Sequence, residues 1–87
     1  MTYKVEWRDD ARQAFLRLDK AIKKRIELVV DRLAENPRPT QATQLVGDPH
    51  TWRVRAGAWR ILYEIHEDQL VVLVLNFDHR SKAYGGH

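Results

Sequence analysis

The sequence predicts an α+β domain: an N-terminal strand, an αα-hairpin, then a three-stranded antiparallel meander, forming a twisted sheet with helices on one face. Three observations carry this. Tyr3, Val5 and Trp7 alternate with Lys4, Glu6 and Arg8. Two apolar stripes recur at helical spacing between Asp10 and Glu35. Trp52/Val54 and Trp59/Ile61/Tyr63 then flank Ala56-Gly57 as the arms of a hairpin. Eighty-seven residues, 44% of them hydrophobic, suit one domain over 1–87 with a modest core.

Each element has a local reason. Thr2 to Arg8 has period-two alternation, the mark of a half-buried strand. Asp9 and Asp10 follow as N-cap and first-turn acid, favourable at the positive end of a helix. Ala11, Ala14, Phe15 and Leu18 recur at i, i+3, i+4 and i+7, so a short amphipathic helix is expected over Asp10 to Leu18. Asp19 can cap a second helix, Lys20 to about Glu35, whose stripe is Ile22, Ile26, Val29, Val30 and Leu33. Asn36-Pro37 stops it, since the residue before proline avoids the α region. Pro37 to His50 reads as an irregular connection, with Leu45 and Val46 as core anchors. Leu70 to Leu75 is unbroken apolar sequence, expected as the central strand. From Asn76 the tail leaves that strand.

No apolar run approaches the ~18 residues of a membrane span, and no charged-then-apolar leader opens the chain, so a soluble cytoplasmic protein is expected. The chain has no cysteine, which excludes disulfides and thiolate chemistry. His50, His66, His79 and His87 do not pair at ligand spacing, and neither a metal site nor a cofactor is expected. No Walker loop, nucleophile elbow or dinucleotide fingerprint occurs.

The net charge is +3, and its distribution says more than its size. Between residues 37 and 63, Arg38, Arg53, Arg55 and Arg60 stand against Asp48 alone. The basic cluster Lys20, Lys23, Lys24 and Arg25 reads as a solvated helix face, because Asp19, Glu27 and Asp31 lie at spacings that allow side-chain pairs. The hairpin is different. With an even loop, Val54 faces Trp59 and Trp52 faces Ile61, and the other side carries Arg53, Arg55 and Arg60, with Arg53 directly opposite Arg60. Like charges at cross-strand distance repel. Two readings of that side stand on the residues alone: a solvated polar face, or a face on which an anion lies across three guanidinium groups. His79, Arg80 and Tyr84 leave a nearby strand, and such a set can grip a phosphodiester and stack a base.

Several segments, in order and spacing, resemble one family. Leu45-Val46-Gly47 is followed by Trp52-Arg53-Val54-Arg55, the strand from Trp59 to Ile65, and a closing HRSKAY. Together they resemble the RelE/ParE superfamily of toxin–antitoxin toxins, over essentially the whole chain. The RelE branch implies a RelE-like microbial RNase fold and a ribosome-dependent, metal-independent endoribonuclease that cuts mRNA in the ribosomal A site. In it the RNA 2′-hydroxyl attacks the adjacent phosphate. By that resemblance Arg53, Arg55, Arg60, Arg80 and Tyr84 are the catalytic set, with Tyr84 stacking on the substrate base. The family's first-strand pair are lysines, whereas this chain has Arg53 and Arg55. Arginine, with a pKa above ~12, stabilises charge but is a poor general base. Either His79 or Tyr84 then transfers the proton, or catalysis rests on electrostatics and orientation. A cognate antitoxin, the ribosome and mRNA are the implied partners. Two alternatives stand beside this: a ParE-like toxin that inhibits DNA gyrase by contact, though such relatives typically lack the tail tyrosine, and an RNA-binding domain without turnover.

Overall fold

The computed structural model describes residues 2–79. The chain forms β1 (Lys4–Trp7), α1 (Asp9–Leu16), α2 (Lys20–Glu35), β2 (Ala42–Gln44), β3 (Thr51–Ala56), β4 (Trp59–His66) and β5 (Val71–His79). These strands make one five-stranded sheet in the order β1-β5-β4-β3-β2. The two helices carry the chain from one sheet edge to the other, and the meander β3-β4-β5 returns it. The last strand therefore docks parallel on the first, while every other pairing is antiparallel.

The α+β architecture is as the sequence predicts, and α2 has the expected bounds. Its buried residues Ile26, Val30 and Leu33 meet Val54, Ile61, Tyr63, Ile65, Val72 and Val74 in a single core. The shorter α1 buries Ala11 alone, with Ala14 and Phe15 packed against the core and Phe15 stacked at a tilt on Trp7, ring centroids 4.9 Å apart. Such a helix depends on the layer beneath it, because eight residues hold poorly in isolation.

Several expectations are corrected, among them the end of α1, which stops at Leu16 rather than Leu18. Arg8, not Asp9, stands at the N-cap of α1. Asp9 and Asp10 instead occupy the first turn, where Arg8 Nε reaches Asp10 Oδ1 at 2.8 Å and holds that carboxyl below its usual range. A short edge strand, β2, forms inside the stretch expected to be irregular. Three residues are too few for a periodic signal, and β2 exists because β3 offers a free edge. The middle strand is β4, with β5 between it and β1. Finally, β5 begins one residue after Leu70, which takes a positive φ of 55° in the turn, and runs four residues beyond Leu75. The opening residues of β4 need a hydrogen-bonding neighbour, and Asn76 to His79 provide it. A register shift between Leu62 and Tyr63 accommodates the change in pairing.

Candidate nucleic-acid interface

The β3–β4 hairpin turns through two residues, Gly57 and Ala58, between the paired Ala56 and Trp59. Gly57 has φ +66°, a left-handed conformation that glycine adopts without a Cβ penalty. The register is two residues tighter than the sequence suggested. Val54 faces Ile61 and Trp52 faces Tyr63, while Arg53 lies opposite Leu62 and Arg55 opposite Arg60. The like-charge pair is thus Arg55/Arg60 rather than Arg53/Arg60. A shift of two preserves parity, since side chains alternate with period two. Arg53, Arg55 and Arg60 therefore share the outer face, and Val54, Ala56, Ile61 and Tyr63 share the inner face beneath the helices.

The inner face anchors the site. Tyr63 is fully buried, and its hydroxyl donates to the carbonyl oxygen of Pro37 at 2.6 Å. Burial pushes its phenol pKa upward, so it stays a neutral donor. This bond pins the end of α2 to the middle strand. Nearby, the Arg38 guanidinium sits 5.5 Å over the Trp52 ring and reaches Glu67 at 2.9 Å, which tethers the same connection.

On the outer face, Arg55, Arg60 and Asp78 form one row across β3, β4 and β5. Arg55 is exposed and Arg53 half-buried. The Arg60 side chain is only 17% exposed, and its Nε lies 3.4 Å from Asp78 Oδ1. A depression of about 180 Å³ opens beside this row, bordered by Leu45, Arg53, Arg60, Leu62, Asn76 and Asp78. Leu45 thus packs on the arginine side, whereas Val46, expected as a second core anchor, is fully exposed. The loop leading into β3 is held instead by Asp48, which accepts from Thr51 Oγ1 at 2.6 Å and from the His50 amide at 3.1 Å. The Thr51 bond is the main reason the Asp48 carboxyl is held below its usual range.

His79 is not brought to this face. It pairs with Trp59 at the end of β5, and their rings meet edge-on at 5.4 Å, so it lies on the Trp59 side of the sheet. Arg80 and Tyr84 lie outside the described residues. Asp78 is the residue that sequence reasoning missed. Its signal was the alternation Asn76/Asp78 against Phe77, legible once the strand is extended past Leu75. Among the described residues no group of three or more His, Asp or Glu side chains could hold a metal ion, and no helix is long and apolar enough to cross a membrane. The basic residues at the start of α2 make no ion pair among the described residues, contrary to the pairing that their spacing allowed. Arg25 instead lies over the hairpin turn, where a Cβ on Gly57 would sit 2.6 Å from Arg25 Nη1.

The model of the ParE toxin of type II toxin–antitoxin (parDE) systems matches residues 5–84. The chain belongs to that toxin family. Relatives bearing the RelE name surround it as well. It is 27% identical to a putative RelE-like toxin protein of Escherichia coli, over 95% of this chain and 88% of the relative. Its fold matches the toxin of the archaeal RelE–RelB complex from Pyrococcus horikoshii, with TM-score 0.82 and 26% identity, covering 94% of this chain and 99% of that one. The toxin–antitoxin complex RelBE2 from Mycobacterium tuberculosis aligns with TM-score 0.81 and 25% identity, over 93% and 94% of the two chains. Isolated E. coli RelE, 19% identical, shares the fold with TM-score 0.79 over 97% of this chain and 93% of that one. The resemblance to the RelE/ParE superfamily is borne out, and the chain has the fold of a RelE-like toxin.

Proposed function

We propose that this chain is the toxin of a type II toxin–antitoxin system and acts as a metal-independent endoribonuclease, cutting mRNA in the ribosomal A site and so arresting translation. The observation that carries the proposal is the shared placement of Arg53, Arg55 and Arg60 on the outer face of the hairpin. In the proposed reaction the RNA 2′-hydroxyl gives up its proton as its oxygen attacks the adjacent phosphorus, and the bond to the 5′-oxygen breaks. The products are a 2′,3′-cyclic phosphate and a 5′-hydroxyl that has taken up a proton. The pentacoordinate transition state carries extra negative charge, which guanidinium groups already aimed at it stabilise more than they stabilise the substrate.

Arg53, Arg55 and Arg60 contact the phosphate in this reading, Arg60 from its place between Arg55 and Asp78. Arg80 and Tyr84 are carried over from the family resemblance, Arg80 as a further charge contact and Tyr84 as the ring that stacks on and orients the base. His79, on the Trp59 side of the sheet, is assigned no proton transfer. That leaves Tyr84 or orientation and electrostatics alone, since arginine serves poorly as a base. The cytoplasm is the proposed compartment. The antitoxin would be a small protein whose acidic, partly disordered C-terminal segment wraps the toxin. The toxins of P. horikoshii and M. tuberculosis that share this fold are each seen in complex with an antitoxin.

Mapping mRNA 5′ ends after induction, with ribosomes present and absent, tests the proposal. Ribosome-dependent cuts are expected for the wild-type chain and their loss for Arg53→Ala and Arg80→Ala. Toxicity that persists in both variants overturns the assignment. The ParE description of the matching family model favours a second reading, in which the hairpin inhibits DNA gyrase by contact. DNA damage without mRNA cleavage in arrested cells would select it.

A further inference from the structure

Asp78 is the one acidic side chain in the arginine row. Its neighbour across the strand pairing is Arg60, whose other cross-strand neighbour is Arg55. The contact runs through Arg60 Nε at 3.4 Å, longer than the roughly 2.7–2.9 Å of a charge-assisted hydrogen bond. Both contacting atoms, Nε and Oδ1, are shielded from solvent. The Asp78 side chain as a whole remains 48% exposed and borders the depression beside Arg53. A carboxylate so placed does two things. It offsets the repulsion between Arg55 and Arg60, and it occupies ground beside a guanidinium that an incoming phosphate oxygen would also seek. At 3.4 Å the pair is weaker than a charge-assisted hydrogen bond, so exchanging the carboxylate for another anion costs less than breaking one.

We propose that Asp78 is a positioning residue that acts as an exchangeable internal counter-ion. It holds Arg60 in place in the free protein and competes with the RNA phosphate for it. The arginine face consequently favours a strand that engages Arg53 and Arg55 at the same time over an isolated anion, because only the former compensates for displacing the carboxylate. This inference rests on the reading of the outer face as an RNA surface.

The test is binding of a fluorescent single-stranded RNA oligonucleotide across a salt series, using the full chain with Asp78→Asn, Arg60→Ala, both together, and Arg53→Ala. Asp78→Asn is expected to tighten binding roughly fivefold, about the size of one unit-charge contact in a water-like dielectric. It should also steepen the slope of log affinity against log salt by about 0.7, one additional phosphate neutralised on a single strand. In the Arg60→Ala background the gain should vanish, which separates a role exerted through Arg60 from general surface charge. A gain that survives undiminished in the double variant, or Asp78→Asn weakening RNA, overturns the inference even if Arg53→Ala weakens binding and the RNA reading stands. Equal binding by wild type, Arg53→Ala and Arg60→Ala overturns the RNA reading itself, and the inference with it. Thermal melting of Asp78→Asn and of Asp78→Ser identifies any change that arises from unfolding.

Discussion

On the helix side of the β3–β4 hairpin, Val54, Ile61 and Tyr63 are wholly buried, while one residue along each strand the opposite side holds Arg53, Arg55 and Arg60. The two sides differ in what they contribute. Burying an aliphatic or aromatic side chain stabilises by about 1.5–3 kcal/mol, so the inner side alone supplies several times that. Two like charges about 4 Å apart in a water-like dielectric cost about 1 kcal/mol, and Asp78 offsets part of it. The inner side decides that the hairpin forms and which side chains face the core. The outer side is then free to carry a charge arrangement that stability alone would not select.

The sharpest way to break that contrast is to open the inner side. Ile61→Ala, at a site with no solvent exposure, should cost about 2–5 kcal/mol of stability in denaturant or thermal unfolding. The counterpart on the outer side is Arg55→Ala, expected to leave stability within about 0.5 kcal/mol while lowering mRNA cleavage about 100-fold, roughly the effect of losing one charge-stabilising donor. If both variants lose stability alike, the two sides are not functionally separate. Tyr63→Phe removes the donor to the Pro37 carbonyl and should cost about 1–2 kcal/mol, seen as a melting point lower by roughly 4–8 °C per kcal/mol. The smallest effect belongs to the turn. Gly57→Ala forces a side chain into the left-handed region at about 1–2 kcal/mol, and because Arg25 can swing aside from the new Cβ, the lower end of that range is expected.

Much of the molecule could be read before any coordinates. The stripe of Ile26, Val30 and Leu33, ended by Asn36-Pro37, located α2 closely, because a sixteen-residue periodic run with a proline stop leaves little latitude. The segregation of the hairpin arginines was likewise legible, since it needs only the parity of the loop. The pairing of Arg55 rather than Arg53 with Arg60 was not, because nothing local distinguishes a two-residue loop from a four-residue one when both keep the same faces inward. β2 escaped for a related reason. A three-residue edge strand has no periodicity of its own and is created by its neighbour.

By itself the sequence determined which residues are apolar at which spacing, and through that the order of strands and helices and the sign of the hairpin's outer face. Tertiary structure alone decided that β5 runs on to His79, that Asp78 meets Arg60 across it, and that His79 falls on the other side of the sheet. The physical reason is range. Alternation and capping act over a few neighbouring residues, whereas register and strand length are set when one strand satisfies the hydrogen bonds of another many residues away.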